Sequence, residues 1–337
     1  MSQDVPTLET VARRARVSRQ TVSNVINNPE KVSPATRRRV LEAIRETGYR
    51  PHAAARQLRT GRSQVLGLRL PPVTDGINGS VLDRFLHALT ESAQVHDHQV
   101  MLFTARDDAD EVEHYRSLLR TVRPDGFVLS STHRGDERTR WLAENGVPFV
   151  TFGRPWDLQQ VEHPWVDVDG RAGTRLAVEH LLALGHERIG YIGWPQGSDV
   201  GDDRHAGWHE AMSAATTSAL DHLHREVEDE VRLGVSAAEE LLATQRPTAL
   251  VCASDSLALG ALEAVRRLGE PVAVVGFDDT PVAAATGLTS LAQPLAEAAR
   301  RAVDLVLGQI AGSGTGEEHV LLAPELVVRE SSIPRTH

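Results

Sequence analysis

The first fifty residues repeat apolar positions with a helical period, and the rest of the chain does so in short unbroken runs. In LETVARRA, Leu8, Val11, Ala12 and Ala15 fall at i, i+3, i+4 and i+7, one face of a helix, with Thr7 in front as an N-cap. Ser18 caps a second short helix in which Val22, Val25 and Ile26 point one way and Arg19, Gln20 and Asn24 the other. Ser33 caps a third, with Pro34 at its first position, Gly48 at its end, and Val40, Leu41, Ile44 and Tyr49 available to bury. Pro51 ends that helix, and the run from Ala53 to Leu58 predicts a helix too short to persist alone. Such a segment folds on a partner, with its Ala face against the same segment of a second chain.

From Val65 the pattern changes. The apolar runs VLGLRL, QVMLF, GFVLSS and PFVTFG alternate with the helical stretches SVLDRFLHALTESAQ, DEVEHYRSLLRTV and ERTRWLAENG. This alternation predicts a parallel sheet with helices on both faces, complete by about residue 160. The rhythm then restarts with the strands RIGYIG, ALVCAS and VAVVGF between further helices, predicting a second sheet. A long helix, QPLAEAARRAVDLVLGQIAG, and two strands around a proline turn, HVLLAPELVVRES, close the chain. The fold class is α/β: a three-helix head and a hinge helix, then two doubly wound parallel-sheet subdomains.

Open parallel sheets bind ligands beyond the carboxyl ends of their strands, here between two such sheets. The residues at those ends are Ser130, Ser131, Gly153, Arg154, Trp194, Ser254, Asp255, Phe277, Asp278 and Asp279. Arg204 is expected to open the helix RHAGW, and Asn78 and Ser80 to precede the first body helix. Carboxylates that accept hydroxyl protons, a forked guanidinium donor and an indole face suit a polyhydroxylated ligand. Asp255 is read first as a helix cap, and Trp156, Trp165 and Trp208 as packing residues.

Length and charge sharpen this division. At 337 residues, two or three domains are expected. No run approaches 18 consecutive apolar residues, the N-terminus is polar and acidic, and Cys252 is the single cysteine, so a cytoplasmic protein with an inert thiol is expected. The net charge of −10 combines +8 over residues 1–62 with −18 over the remainder. A basic head on an acidic body directs the head alone to a polyanion. Two short helices across a tight turn, braced by a third, form a helix-turn-helix unit whose second helix enters the DNA major groove. Arg19 can then pair with guanine and Gln20 with adenine; Asn24 can meet a base or a phosphate, and Ser18, Thr21 and Ser23 phosphate oxygens. Leu58 can wedge between base steps in the minor groove. His205, His209 and Glu210 do not follow the zinc-protease order, GSGTG lacks the context of a phosphate loop, and no nucleophile–base pair stands out. No metal, no cofactor and no enzymatic activity are expected.

The run TLETVARRARVSRQTVSNVINNPEKVSPATRRRVLEAIRETGYRPHAAARQLRTGRS, residues 7–63, resembles the DNA-binding head and hinge of the lactose/galactose-repressor (LacI/GalR) family. VDVDGRAGTRLAVEHLLALGHERIGYIG, DDRHAGWHEAM, ASDSLALGALEAVRRLG, VVGFDD and LTSLAQP resemble the periplasmic-binding-protein-like body of the same family. The resemblance implies that Arg19 and Gln20 read an operator, that Leu58 is the minor-groove lever, and that Arg204 and Asp278 anchor sugar hydroxyls. It further implies three chain crossings between two lobes. The expected divisions are a head at 1–50, a hinge at 51–62, a first subdomain at 63–162 plus about 293–320, and a second at 163–292 plus about 321–330. Ser254 stands where some members have Asn, and Arg16 where many have Gly; a left-handed Arg16 costs about 1 kcal/mol. Residues 216–234 match least, and should carry a pocket aromatic that the sequence does not locate. The implied function is a dimeric repressor of carbohydrate-utilisation genes, released from a pseudo-palindromic operator by a sugar or oligosaccharide, with no membrane partner. The alternative is a purine- or other metabolite-responsive regulator whose ligand acts as corepressor.

Overall fold

The computed structural model describes residues 6–49, 61–70, 77, 79–156, 163–217, 219–269, 271–313 and 318–333. Leu58 and Asn78 lie outside the described residues, as does the expected hinge helix. The chain divides into two compact units, Met1–Ser63 and Gln64–His337.

The first unit is built from α1 (Leu8–Ala15), α2 (Arg19–Asn27) and α3 (Pro34–Thr47). Local chemistry sets each start: Thr7 and Thr10 form a reciprocal capping box, Ser18 Oγ accepts from Thr21 N at 3.0 Å, and Ser33 caps α3 ahead of Pro34. Gly48 ends α3 at φ 67°. Val11, Ala12, Ala15, Val22, Val25, Val40, Ala43 and Tyr49 form the core. Leu41, expected to bury, is 41 % exposed. It lies about 100° around α3 from Val40, so the buried stripe runs through Val40, Ala43 and Ile44 instead. Arg16 joins α1 to α2 in the left-handed conformation, φ 52° and ψ 49°.

The second unit contains two six-stranded sheets. The first part comprises β1 (Val65–Leu70), α4 (Gly79–Val95), β2 (Gln99–Thr104), α5 (Asp108–Thr121), β3 (Gly126–Ser130), α6 (Glu137–Glu144), β4 (Phe149–Phe152) and β5 (Trp165–Val168). The second comprises α7 (Gly170–Ala183), β6 (Ile189–Gly193), α8 (Asp199–Ala215), β7 (His224–Glu226), α9 (Val231–Thr244), β8 (Ala249–Cys252), α10 (Asp255–Leu268), β9 (Ala273–Phe277), α11 (Pro281–Thr286) and β10 (Thr289–Ala292). Then follow α12 (Leu295–Ala311), β11 (His319–Leu322) and β12 (Glu325–Val327). The strand orders are β11-β5-β4-β3-β1-β2 and β12-β10-β9-β8-β6-β7; β12 alone among these pairs antiparallel, with β10. The helix α12 packs on α4, β3, β4 and β5, so the chain returns to the first sheet after β10. The two strands around Pro324 fall in different sheets, which makes them a crossing between lobes rather than a hairpin.

Several boundaries differ from the sequence reading. The division expected at 162 precedes β5, which pairs in parallel with β4 and β11 and belongs to the first sheet. Four residues interrupted by Asp167 make too short an apolar run to signal a strand. α8 starts at Asp199 rather than at Arg204, because Ser198 caps it and Asp199 and Asp202 favour its positive end. Ser80 lies inside α4 rather than before it. Gly207 lets α8 lie close against α7: a Cβ there would stand 2.1 Å from the Arg171 carbonyl oxygen. This contact fixes the helix that carries Arg204.

Candidate nucleic-acid interface and ligand cleft

On the first unit, Arg16, Ser18, Arg19 and Gln20 are exposed around the N-terminal end of α2. Gln20 Nε2 donates to Asn24 Oδ1 at 3.1 Å, which orients the two amides together. The Ser18 and Thr21 hydroxyls lie 2.8 Å apart and hold the helix start, and Thr21, Ser23 and Asn24 are half-buried. Of the residues proposed from sequence, Arg16, Arg19 and Gln20 thus present the longest side chains at a helix N-terminus, where backbone N–H groups and the helix dipole also favour an anion.

Arg16 occupies a backbone conformation that suits glycine. Arg16→Gly is expected to stabilise the head by about 1 kcal/mol while weakening binding to any duplex and lowering the salt slope by about one. Denaturant unfolding read on the head, together with DNA titrations at several salt concentrations, checks both effects.

In the second unit, a cavity of about 330 Å³ opens at the carboxyl ends of both sheets. Ser130, Arg154, Trp194, Arg204 and Asp278 line it, as the strand-end rule expects. Arg204 is its centre. The guanidinium lies 3.7 Å from the Phe277 ring centroid and 5.1 Å from that of Trp194. Its Nη1 donates to Ala253 O at 2.5 Å, and its Nη2 stands 3.7 Å from Asp278 Oδ1. Asp278 has φ 110° and accepts from Gln293 Nε2 at 2.6 Å. Burial pushes its carboxyl up to about 7, against the opposing pull of Arg204. Arg154 Nε donates to Asp167 Oδ2 at 2.6 Å and its Nη2 to Asp203 Oδ2 at 2.9 Å, and the guanidinium covers the Trp156 ring at 4.8 Å. Burial raises the Asp167 carboxyl above the usual range despite Arg154. The buried nitrogens Arg204 Nε, Trp194 Nε1 and Trp156 Nε1 have no hydrogen-bond partner among the described residues. All three belong to residues that line the cavity.

Other expected positions fall behind or beside the cavity. Ser254 is fully buried, caps α10 and donates to Asp229. Phe277 lies under the Arg204 guanidinium rather than on the wall. Asp255 is neither the cap nor a lining group: its carboxylate accepts from Thr280 N and Ser290 Oγ, tying α10 to the loop after β9 and to β10 itself. Asp279 pairs with Arg329 at 2.7 Å. The Ser80 hydroxyl donates to Ile77 O. Sequence reasoning missed Trp156, Asp167, Asp203, Asp229 and Gln293, all on the wall, and the stacked Phe85 and Phe152 rings, 4.3 Å apart, whose members also line it. The segment 216–234 contributes Asp229, a carboxylate; the indoles lining the cavity are Trp156 and Trp194.

Several bonds cross the cleft. Arg84 of α4 donates to the carbonyl oxygens of Asp278 and Asp279 at 2.6 and 3.2 Å, Arg134 Nε to Asp199 Oδ1 at 2.7 Å, and Arg154 to Asp203. In each the guanidinium comes from the first lobe and the acceptor from the second.

A basic helix-turn-helix head on a body of two facing sheets defines a ligand-responsive DNA-binding regulator, and comparison with known proteins agrees. The family model for bacterial regulatory proteins of the lacI family matches residues 7–52, and that for a periplasmic binding protein-like domain matches residues 178–332. The HTH-type transcriptional regulator CelR of Thermobifida fusca is 37 % identical over 97 % of this chain and 98 % of its own length. AglR of Rhizobium meliloti (strain 1021) is 32 % identical over 97 % of this chain and 94 % of its own length. Among solved structures, a CelR–cellobiose complex is 34 % identical with a TM-score of 0.71, covering 97 % of this chain and 99 % of that one. The lac repressor dimer bound to operator and an anti-inducer is 27 % identical with a TM-score of 0.82, covering 98 % and 100 %. The chain belongs to the LacI family of transcriptional regulators. Among the described residues no helix is long and apolar enough to cross a membrane.

Proposed function

We propose that this regulator is a homodimeric repressor of carbohydrate-utilisation genes that leaves its operator when an oligosaccharide fills the cleft. The supporting observation is the Arg204 assembly: a guanidinium between two aromatic rings, facing a buried carboxylate and flanked by unpartnered indole N–H groups. Ring faces cover sugar C–H surfaces, and the polar atoms bind hydroxyls from both sides. The CelR–cellobiose complex is the relative that favours a glucoside.

The head reads bases through Arg19 and Gln20 and positions itself on phosphates through Arg16, Ser18, Thr21, Ser23 and Asn24; Leu58 acts as the minor-groove lever. Bonds across the cleft couple ligand occupancy to the distance between lobes, and a coupling of about 1–3 kcal/mol suffices to change operator occupancy. Arg19→Ala is expected to lose discrimination at one operator base pair by about 1–3 kcal/mol. Unchanged selectivity across all single-base operator variants removes Arg19 from base reading. The function is tested by titrating full-length protein onto operator DNA with and without saccharides and purines. Release by a saccharide is expected; tightening by a purine would establish corepression instead.

A further inference from the structure

We infer that Arg84 is the positioning residue that carries effector occupancy from Asp278 to the first lobe, by clamping the backbone of the Asp278–Asp279 turn across the cleft. The role holds for any effector that Asp278 binds, saccharide or not.

Arg84 sits on α4 beside Val81, Leu82 and Phe85, which line the cavity, but is not itself on the wall. Its Nη2 donates to the Asp278 carbonyl at 2.6 Å and its Nη1 to that of Asp279 at 3.2 Å. Its Nε is buried without a hydrogen-bond partner, and no carboxylate among the described residues pairs with it. The whole guanidinium is thus directed at two carbonyl oxygens, and a charged donor makes such bonds stronger than a neutral one does. The other guanidiniums that cross the cleft end on carboxylates, Arg134 on Asp199 and Arg154 on Asp203, and Arg154 is itself on the wall.

The acceptor is a constrained turn. Asp278 and Asp279 follow β9 with φ of 110° and 47°, conformations that non-glycine residues keep only where their surroundings over-determine them. Asp278 N donates to Leu291 O at 2.8 Å and Asp279 N to Ser290 Oγ at 3.0 Å, while Gln293 holds the Asp278 carboxyl and Arg329 that of Asp279. The two carbonyl oxygens are gripped from the opposite lobe by Arg84. Asp278 therefore shows its carboxyl to the cavity beside Arg204 and its carbonyl to α4. An effector that engages the carboxyl steadies the turn in the geometry that Arg84 grips, and the grip holds α4 toward the second lobe. α4 follows β1, which begins just after the first unit ends. Linkage makes the coupling reciprocal, so loosening the grip weakens the effector.

The test titrates full-length protein onto operator DNA with cellobiose, maltose, trehalose and hypoxanthine, and the compound that changes operator affinity is carried to Arg84→Met and Arg84→Lys. Met keeps the length of the stem and removes every donor; Lys keeps the charge and loses the fork. Both variants are expected to bind operator as the wild type does when no effector is present. The half-maximal effect should need about tenfold more effector in Arg84→Met, the scale of one lost charged hydrogen bond, with Arg84→Lys in between. Trp156 of the first lobe and Trp194 of the second line the cavity and report its opening without a ligand. Acrylamide should quench the fluorescence of ligand-free Arg84→Met more than that of the wild type, and the excess should vanish when both indoles are replaced, Trp156→Phe with Trp194→Phe. A wild-type effector response in Arg84→Met overturns the proposal, as does equal quenching, or an excess that survives loss of both indoles and so reports general loosening. If Arg84→Met does not fold, Arg84→Lys decides: a wild-type response from it overturns the clamp.

Discussion

Asp278→Ala is expected to leave operator binding intact and abolish the effector response. The carboxylate faces Arg204 across 3.7 Å and accepts from Gln293, which lies where the chain crosses from β10 back to the first lobe. A charged hydrogen bond contributes about 1.5–3 kcal/mol, and a carboxylate that accepts two sugar hydroxyls would account for about 3 kcal/mol or more, roughly 100-fold in affinity. Alanine is poorly suited to φ 110°, so Asp278→Asn is the companion variant: it removes the charge and retains a residue type that tolerates positive φ. Operator titrations with and without effector decide the matter; a normal response in both variants would remove Asp278 from the site. The wild type should also bind its effector less tightly as pH falls through about 7, where Asp278 takes up a proton and accepts fewer hydroxyl bonds. Its effect on folding has a definite sign. The folded pKa lies above the unfolded value, so between the two the folded chain binds more protons, and stability from this group is lost as pH rises toward 7.

Arg138→Leu is expected to destabilise the body by about 3–5 kcal/mol, because it takes the guanidinium away from two buried carboxylates, Asp136 at 2.7 Å and Glu111 at 3.1 Å. Arg138 and Glu111 side chains are each 1 % exposed and meet at 3.1 Å, with Arg69 at 3.0 Å and the Tyr115 hydroxyl also on Glu111. Burial, and then the neighbouring Glu111, push the Tyr115 hydroxyl far above the phenolic range, so it remains a donor. The same guanidinium donates to the carbonyl oxygens of Ser130 and Ser131, at 3.3 and 3.0 Å. That holds the end of β3, where Ser131 has φ 57°, at the edge of the cavity. Effector affinity should therefore fall along with stability. Arg138→Leu with Glu111→Leu and Asp136→Asn removes both stranded carboxylates and should recover part of the stability lost in Arg138→Leu, as denaturant unfolding of the variants will show. Equal destabilisation in Arg138→Leu and in the variant that also lacks both carboxylates would mean that packing, not charge, dominates there.

The head was legible because its determinants are local. Thr7, Ser18 and Ser33 cap helices within a few residues of themselves, and the apolar period runs uninterrupted through each helix. Leu41 falls outside the stripe of α3 that faces the core, which runs through Val40, Ala43 and Ile44, and an apolar residue at the margin of a stripe gives no sign in the sequence of which side it takes. In the body, strand ends were legible as a class: Ser130, Arg154, Trp194 and Asp278 all reach the cavity, and Arg204 joins them from within α8. The direction of each side chain was not. Phe277 and Ser254 sit behind the wall, while Trp156, Asp167 and Asp229 sit on it, since these choices depend on partners far away in sequence such as Arg204 for Phe277 and Asp229 for Ser254. β5 and β7 escaped notice because strands of three or four residues with a charge inside carry almost no periodic signal.

Cys252 lies within β8, between β6 and β9, at 1 % exposure, and burial holds its thiol far above the ordinary range. As the chain's single cysteine it supplies a native clock for opening of the second lobe. A maleimide cannot reach that sulfur until the sheet parts, so labelling of the unaltered protein reports the population of opened molecules. Any compound that binds the folded cleft should slow labelling in proportion to its saturation, which turns an ordinary alkylation assay into a screen for the effector.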